Sequence, residues 1–125
     1  MMECTSNDKV LEIGIGTGTS YKYYPDDTHV TGIDISPDML RKAKKNIIKN
    51  NLKNKDVLMM NGEQLKFEDN TFDKVVGMYV ISVTQNPNLL IEEMKRVCKP
   101  HGDIYLVNHF SFDTDSKFLK VLEKG

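Results

Sequence analysis

The run Glu12-Ile-Gly14-Ile-Gly16-Thr-Gly18, entered from Val10-Leu11, is followed sixteen residues later by Asp34 at the end of a second apolar stretch. These residue types at this spacing can hold a nucleoside. Val10 to Ile13 read as a buried strand, and the glycines let the chain turn sharply against a ligand with no Cβ in the way. Thr19-Ser20 are placed to cap a following helix. His29 to Ile33 read as the next parallel strand, which sets the Asp34 carboxylate at its carboxyl end to accept hydrogen bonds from both ribose hydroxyls. A dinucleotide site and an S-adenosylmethionine site share this layout, and the glycines separate them. A dinucleotide fingerprint wants G-x-G-x-x-G/A, whereas the third glycine falls one place early at Gly18 and position 19 is Thr. Glu12 points the same way: a carboxylate repels a pyrophosphate and attracts the α-amino group of a methionine moiety. The expected ligand is S-adenosylmethionine.

The elements that must position these residues alternate along the chain. Strands are expected near 9–13, 29–33, 56–60, 72–78 and 103–108, the pattern of βαβ units around a parallel sheet. Ser36-Pro37-Asp38 is a helix start, with Ser as N-cap, Pro at the first helical position and Asp in the electropositive first turn. Leu40, Ala43 and Ile47 keep helical spacing after it. A second helix is expected from Asn88 to Val97, ended by Lys99-Pro100, and a third through Lys117 to Glu123 on Phe118, Leu119 and Leu122.

The 125 residues are expected to form one domain. With 39% apolar residues, 28% charged residues and a net charge of −1, the composition is that of an ordinary globular protein without the overall basicity of a nucleic-acid binder. Cys4 and Cys98 lie far apart with no C-x-x-C and no neighbouring His, so neither a metal site nor a disulfide framework is expected, and a reduced cytoplasmic setting fits. No signal-peptide pattern and no membrane-spanning apolar run of about eighteen residues is present.

One charge feature stands out. Arg41, Lys42, Lys44, Lys45, Lys49, Lys53 and Lys55 occur with no acidic residue between Asp38 and Asp56. The run is either a peripheral contact for anionic lipid headgroups or the solvated outer face of a helix. No aromatic residues interleave with it, which argues against nucleic acid.

Four segments together resemble the class I S-adenosylmethionine-dependent methyltransferases: the glycine loop; Gly32-Ile-Asp34-Ile35; Met60-Asn61-Gly62-Glu63 through Phe72-Asp73; and Val97-Cys98-Lys99-Pro100-His101-Gly102. In the third, Asn61 stands where an Asp that contacts the adenine amino group is usual; in the fourth, His101 stands where Gly is usual. A narrower resemblance, to soluble bacterial phosphatidylethanolamine N-methyltransferases, is carried by the opening run, by Met78-Tyr79-Val80-Ile81-Ser82-Val83 and by Leu106-Val107-Asn108-His109-Phe110. The resemblance implies a Rossmann-like doubly wound sheet with strand order 3-2-1-4-5. It implies cofactor contacts from Glu12, Gly14, Gly16, Gly18, Asp34, Ile35, Asn61, Gly62 and Met78. It also implies two further strands that the chain is expected to lack, which would leave the strand at 103–108 as an exposed apolar edge open to self-association.

The reaction so implied is displacement of a methyl group from a sulfonium onto a small-molecule or lipid acceptor, which needs alignment more than acid–base machinery and no metal. His109, following the fifth strand, is the one candidate for deprotonating an amine; a packing role competes with that reading. Met78 is expected on the cofactor wall, Asp73 is expected to be structural, and Glu63 either turns toward the ligand or stays in solvent. The alternative to an enzyme is a non-catalytic S-adenosylmethionine-binding module or partner subunit.

Overall fold

A computed structural model describes residues 7–16, 18–78, 84–108 and 117–123. Strand β1 (Lys9–Ile13) leads through the glycine loop and a single 3-10 turn (Tyr21–Tyr23) to β2 (His29–Asp34); α1 (Pro37–Lys49), β3 (Lys55–Met59), β4 (Phe72–Met78), α2 (Pro87–Val97), β5 (Cys98–Asn108) and β6 (Lys117–Glu123) follow. The sheet has the order β3-β2-β1-β4-β5-β6. Its first five strands are parallel, as expected from the sequence, and β1 lies at the centre with Ile13 opposite Ile33 of β2 and Gly77 of β4.

The buried strands read as continuous apolar runs because both faces of the sheet are covered. Leu11, Ile33 and Val75 pack with Leu90, Met94 and Val97 of α2 on one face. Val10, Val30, Val57 and Val76 pack with Leu40 and Ala43 of α1 on the other. Both helices begin as their sequences dictate. Ser36 Oγ accepts from the Met39 N–H ahead of Pro37, and Asn86 Oδ1 accepts from the Leu89 N–H ahead of Pro87.

Four expectations change. Residues 117–123 form a strand antiparallel to β5, with Leu106 opposite Leu119, rather than a third helix. Seven residues are too few to hold a helix by themselves, whereas the β5 edge offers a ladder of unpaired donors and acceptors. The β5 edge is consequently occupied, so it is not the exposed surface through which self-association was expected; the outer strands are β3 and β6. The glycine loop runs into one 3-10 turn instead of a capped helix, because Pro25 stops the turn almost at once. Ser20 makes no cap there and donates its hydroxyl to Glu12 Oε1 at 2.7 Å.

Lys55 also leaves the basic run. It is 6% exposed, and its Nζ donates to the carbonyls of Pro25 (2.9 Å), Thr28 (2.9 Å) and Lys53 (2.8 Å), so it fastens the turn before β2 instead of facing solvent. The remaining cations of the run, Arg41, Lys42, Lys44, Lys45, Lys49 and Lys53, are exposed, with Arg41 paired to Asp38. Among the described residues no helix is long and apolar enough to cross a membrane.

Candidate functional site

At the carboxyl ends of β1, β2 and β3 a cavity of about 490 Å³ opens, the position at which open α/β sheets take ligands. That volume is in the range of small-molecule sites. The glycine loop forms one wall. Gly14 and Ile15 donate their N–H groups to the Ile33 carbonyl at 2.8 and 3.3 Å, which folds the chain back over β2. Gly16 lies beyond that fold with φ +57°, and a Cβ placed on it would meet nothing within 4 Å, so its backbone is bare toward the cavity. Gly18 serves a different purpose. A Cβ there would sit 3.3 Å from the Ala43 Cβ, and its carbonyl accepts from Asn46 Nδ2 at 3.1 Å; its missing side chain admits α1.

Asp34 closes the next wall. Its Oδ2 accepts from the Gly16 N–H and its Oδ1 from the Ser36 N–H, each at 3.0 Å. The two bonds fix the carboxylate between the loop and the start of α1, and each oxygen retains a second acceptor site directed elsewhere. Ile35, 69% exposed, stands beside it on the cavity wall, a large apolar side chain with nothing covering it. Asn61, Gly62 and Glu63 line the opposite side with Thr84 and Gln85. Asn61 Oδ1 accepts from the Glu63 N–H at 2.9 Å, holding the turn after β3.

Glu63, for which the sequence left two readings, lies on the cavity wall. Its Oε2 accepts from Thr84 Oγ1 at 2.6 Å and from the Gln85 N–H at 3.2 Å. The Thr84 hydroxyl above all, with the backbone N–H groups, holds its carboxyl below the usual range.

Glu12 is not part of this wall. It lies behind the loop, 1% exposed, with Oε1 bonded to the Ser20 hydroxyl and the Tyr24 hydroxyl also acting on the carboxylate; Oε2 has no donor at full hydrogen-bonding geometry. Burial raises its pKa above the ordinary 4.5, against the opposing pull of those hydroxyls. In the folded chain the proton is therefore held more tightly than in the unfolded one, so the contribution of Glu12 to stability is fully present below pH 4.5 and is lost as pH rises through the folded value. Glu12→Gln, neutral throughout, should melt a few degrees higher than the native chain at pH 7, with the gap shrinking toward pH 4.5. Thermal melts across that range check it; a gap independent of pH would mean Glu12 is not the titrating group.

Asp73 is structural, as expected: it accepts from the Lys9 N–H at 2.8 Å and from Lys99 Nζ at 3.3 Å, at the far end of the sheet. His101, in the position where glycine was expected, has φ +68°. The turn keeps the backbone shape that favours glycine and carries a side chain anyway. Met78 ends β4 at the ligand edge, while its side chain, with Tyr79–Val83 and His109, lies outside the described residues.

Two contributors carried no local signal. Tyr21, fully buried, donates its hydroxyl to the Asp56 carbonyl at 2.9 Å and fills the space beside Gly32. Arg96 clasps the chain between β3 and β4 to α2, donating to the carbonyls of Leu65 and Phe67 and to the carboxylates of Asp69 and Glu93. The cavity wall carries no Lys or Arg among the described residues and two carboxylates, Asp34 and Glu63. That charge balance suits a nucleoside bearing a cationic methionine moiety and opposes a pyrophosphate. Among the described residues no group of His, Cys, Asp and Glu could hold a metal.

Comparison with known proteins agrees with this geometry. A family model described as a methyltransferase domain matches residues 11–106. The chain is 42% identical over 106 residues to a phosphatidylethanolamine N-methyltransferase of Cereibacter sphaeroides, covering 84% of this chain and 52% of that protein. It is 33% identical over 125 residues to the thiol S-methyltransferase TMT1B of Rattus norvegicus, covering 95% and 51%. It thus spans about half the length of these curated relatives. A crystal structure of a SAM-dependent methyltransferase from Aquifex aeolicus superposes with a TM-score of 0.76 at 27% identity, over 82% of this chain and 57% of that one. With the strand order, the bare glycine loop and these matches in agreement, the chain belongs to the S-adenosylmethionine-dependent methyltransferases, and S-adenosylmethionine is its cofactor.

Proposed function

We propose that the protein transfers the methyl group of S-adenosylmethionine to a small-molecule or lipid acceptor, with a phospholipid amine as the acceptor to test first. The observation that carries the reading is the convergence of the bare Gly16 backbone and the Asp34 carboxylate in one cavity at the ligand edge. In this reading Asp34 takes the ribose hydroxyls, Ile35 packs on the adenine, Asn61 and Gly62 meet the adenine edge, and Gly14 and Gly16 give the methionine end access to backbone. Glu12 acts from behind by holding Ser20 and the loop. Met78, the last residue of β4, is assigned to cofactor contact, and His109, following β5 in sequence, takes the proton of an amine acceptor.

The bound cofactor supplies an electrophilic methyl on a positively charged sulfur. The chain's own part is orientation. Fixing nucleophile and methyl in line can contribute roughly 7–11 kcal/mol without any covalent help from a side chain.

The lipid acceptor is supported by the 42% identity to a protein named for phosphatidylethanolamine and by the exposed basic face of α1, on which Ile48 is 79% exposed among Lys44, Lys45 and Lys49. A protein working in a reduced cytoplasmic setting and docking at the membrane surface fits both. Incubation with S-adenosylmethionine and either phosphatidylethanolamine vesicles or a small thiol, followed by mass analysis, separates the two acceptor classes named by the relatives. On the lipid reading the amine is methylated, and turnover falls when His109 becomes Ala while cofactor affinity is kept. Binding to vesicles rich in anionic lipid should fade as salt shortens the screening length from about 10 Å toward 3 Å, and should weaken when Lys44, Lys45 and Lys49 become Gln. Tight S-adenosylhomocysteine binding with no methyl transfer to any acceptor would instead favour a binding module or partner subunit.

A further inference from the structure

We infer that Glu63 is a positioning residue that sets the recognition of the adenine ring, by strapping together two walls of the cofactor cavity. The inference rests on the assignment of this cavity to the nucleoside.

The segment from Asn61 to Asp69 joins β3 to β4 and is fastened to α2 and its lead-in at two places. Away from the cavity, the fastening is Arg96 with Glu93, which holds the Leu65 N–H at 2.8 Å and the carbonyls of Leu65 and Phe67. On the cavity wall itself, it is Glu63. One carboxylate oxygen takes both the Thr84 hydroxyl and the Gln85 N–H, while the Glu63 N–H is given to Asn61 Oδ1. Thr84 Oγ1 in turn accepts from the Asn86 N–H at 3.3 Å, immediately before α2 begins. A continuous hydrogen-bonded path therefore runs from Asn61, through Glu63 and Thr84, to the first turn of α2. Asn61, Glu63, Thr84 and Gln85 all face the same cavity.

The physical consequence concerns selectivity more than global stability. Glu63 spans between two loops and is only half-buried, so its loss removes little apolar packing. What it removes is the constraint on where the Asn61 amide and the neighbouring backbone stand relative to the Thr84–Gln85 wall. A polar edge is told from its analogue only if the opposing donors and acceptors are held in place, because a mobile pair can re-form bonds with either.

The experiment compares S-adenosylhomocysteine with S-inosylhomocysteine, which carries an exocyclic carbonyl oxygen in place of the adenine amino group, by isothermal titration. The native chain should prefer the adenosyl ligand at least tenfold; no binding of either, or no preference, would overturn the assignment of the cavity to adenine. Glu63→Ala should raise the S-adenosylhomocysteine Kd tenfold or more while changing the inosyl Kd less than threefold, so that the preference is largely lost. Glu63→Gln should restore it to within threefold of native, because the amide oxygen still accepts from the Thr84 hydroxyl and the Gln85 N–H. Thr84→Val, which deletes the shorter of the two bonds, should fall between them. If the native preference is present and survives unchanged in Glu63→Ala and Thr84→Val, or if both ligands weaken equally, the strap is purely structural and the inference fails.

Discussion

Gly32→Ala should lower the melting midpoint by roughly 10–20 °C and abolish cofactor binding near the new transition. Gly32 sits in the middle of β2, opposite Glu12 of the central strand. A Cβ there would lie 1.9 Å from the Tyr21 hydroxyl oxygen and 2.5 Å from Ile15 Cγ2. Such an oxygen could swing aside at the surface, but Tyr21 is fully buried and its hydroxyl is committed to the Asp56 carbonyl. Overpacking costs about 1–3 kcal/mol, and breaking that bond while leaving the buried Tyr21 hydroxyl without a partner costs about 1–3 more. The sum is a large part of the roughly 5–15 kcal/mol that holds a domain of this size. Adding Tyr21→Phe removes the atom in closest conflict and should recover part of the loss, leaving the Ile15 contact. Calorimetry on the single and double variants checks both statements, and a single variant melting within about 3 °C of native would show that the 3-10 turn yields without cost.

Asp34→Ala should weaken S-adenosylhomocysteine binding by about 1.5–3 kcal/mol, or roughly 10- to 150-fold in Kd. Two losses contribute. The carboxylate that would receive the ribose hydroxyls is gone, and the N–H groups of Gly16 and Ser36 lose the acceptor that holds the loop against α1. Asp34→Asn separates them, since an amide oxygen can keep one backbone bond but offers the ribose a neutral partner. Isothermal titration of both variants is the measurement. An unchanged Kd would make Asp34 only the residue that starts α1.

The parts of this molecule readable from sequence are those governed by neighbours in the chain. Ser36-Pro37 and Lys99-Pro100 mark helix limits through capping and the missing proline N–H, and the strands at 9–13 and 72–78 lie where the apolar runs place them. The unreadable parts depend on partners far away. Residues 117–123 fit helical and strand spacing alike, and the free edge of β5 decides between them. Lys55 looks like one more surface cation until the carbonyls of Pro25, Thr28 and Lys53 are seen around it. At the site, the glycine loop and Asp34 were legible because their geometry is made locally. The share of Gly18 in admitting α1, the retreat of Glu12 behind the loop and the span from Glu63 to Thr84 all required the tertiary arrangement.

The enclosure of Lys55 makes that amine a chemical clock. A lysine reacts with an acylating reagent only as a free, uncharged amine, and this one gives hydrogen bonds to three carbonyls with almost no surface exposed. Lysines on the outer face of α1 are labelled at the pace of simple encounter, so within a single digest they record reagent dose. Lys55 is labelled only when the turn ahead of β2 comes apart, and the ratio of the two modifications, read by mass spectrometry, follows the opening of the sheet edge in a crude mixture without any need to purify the protein.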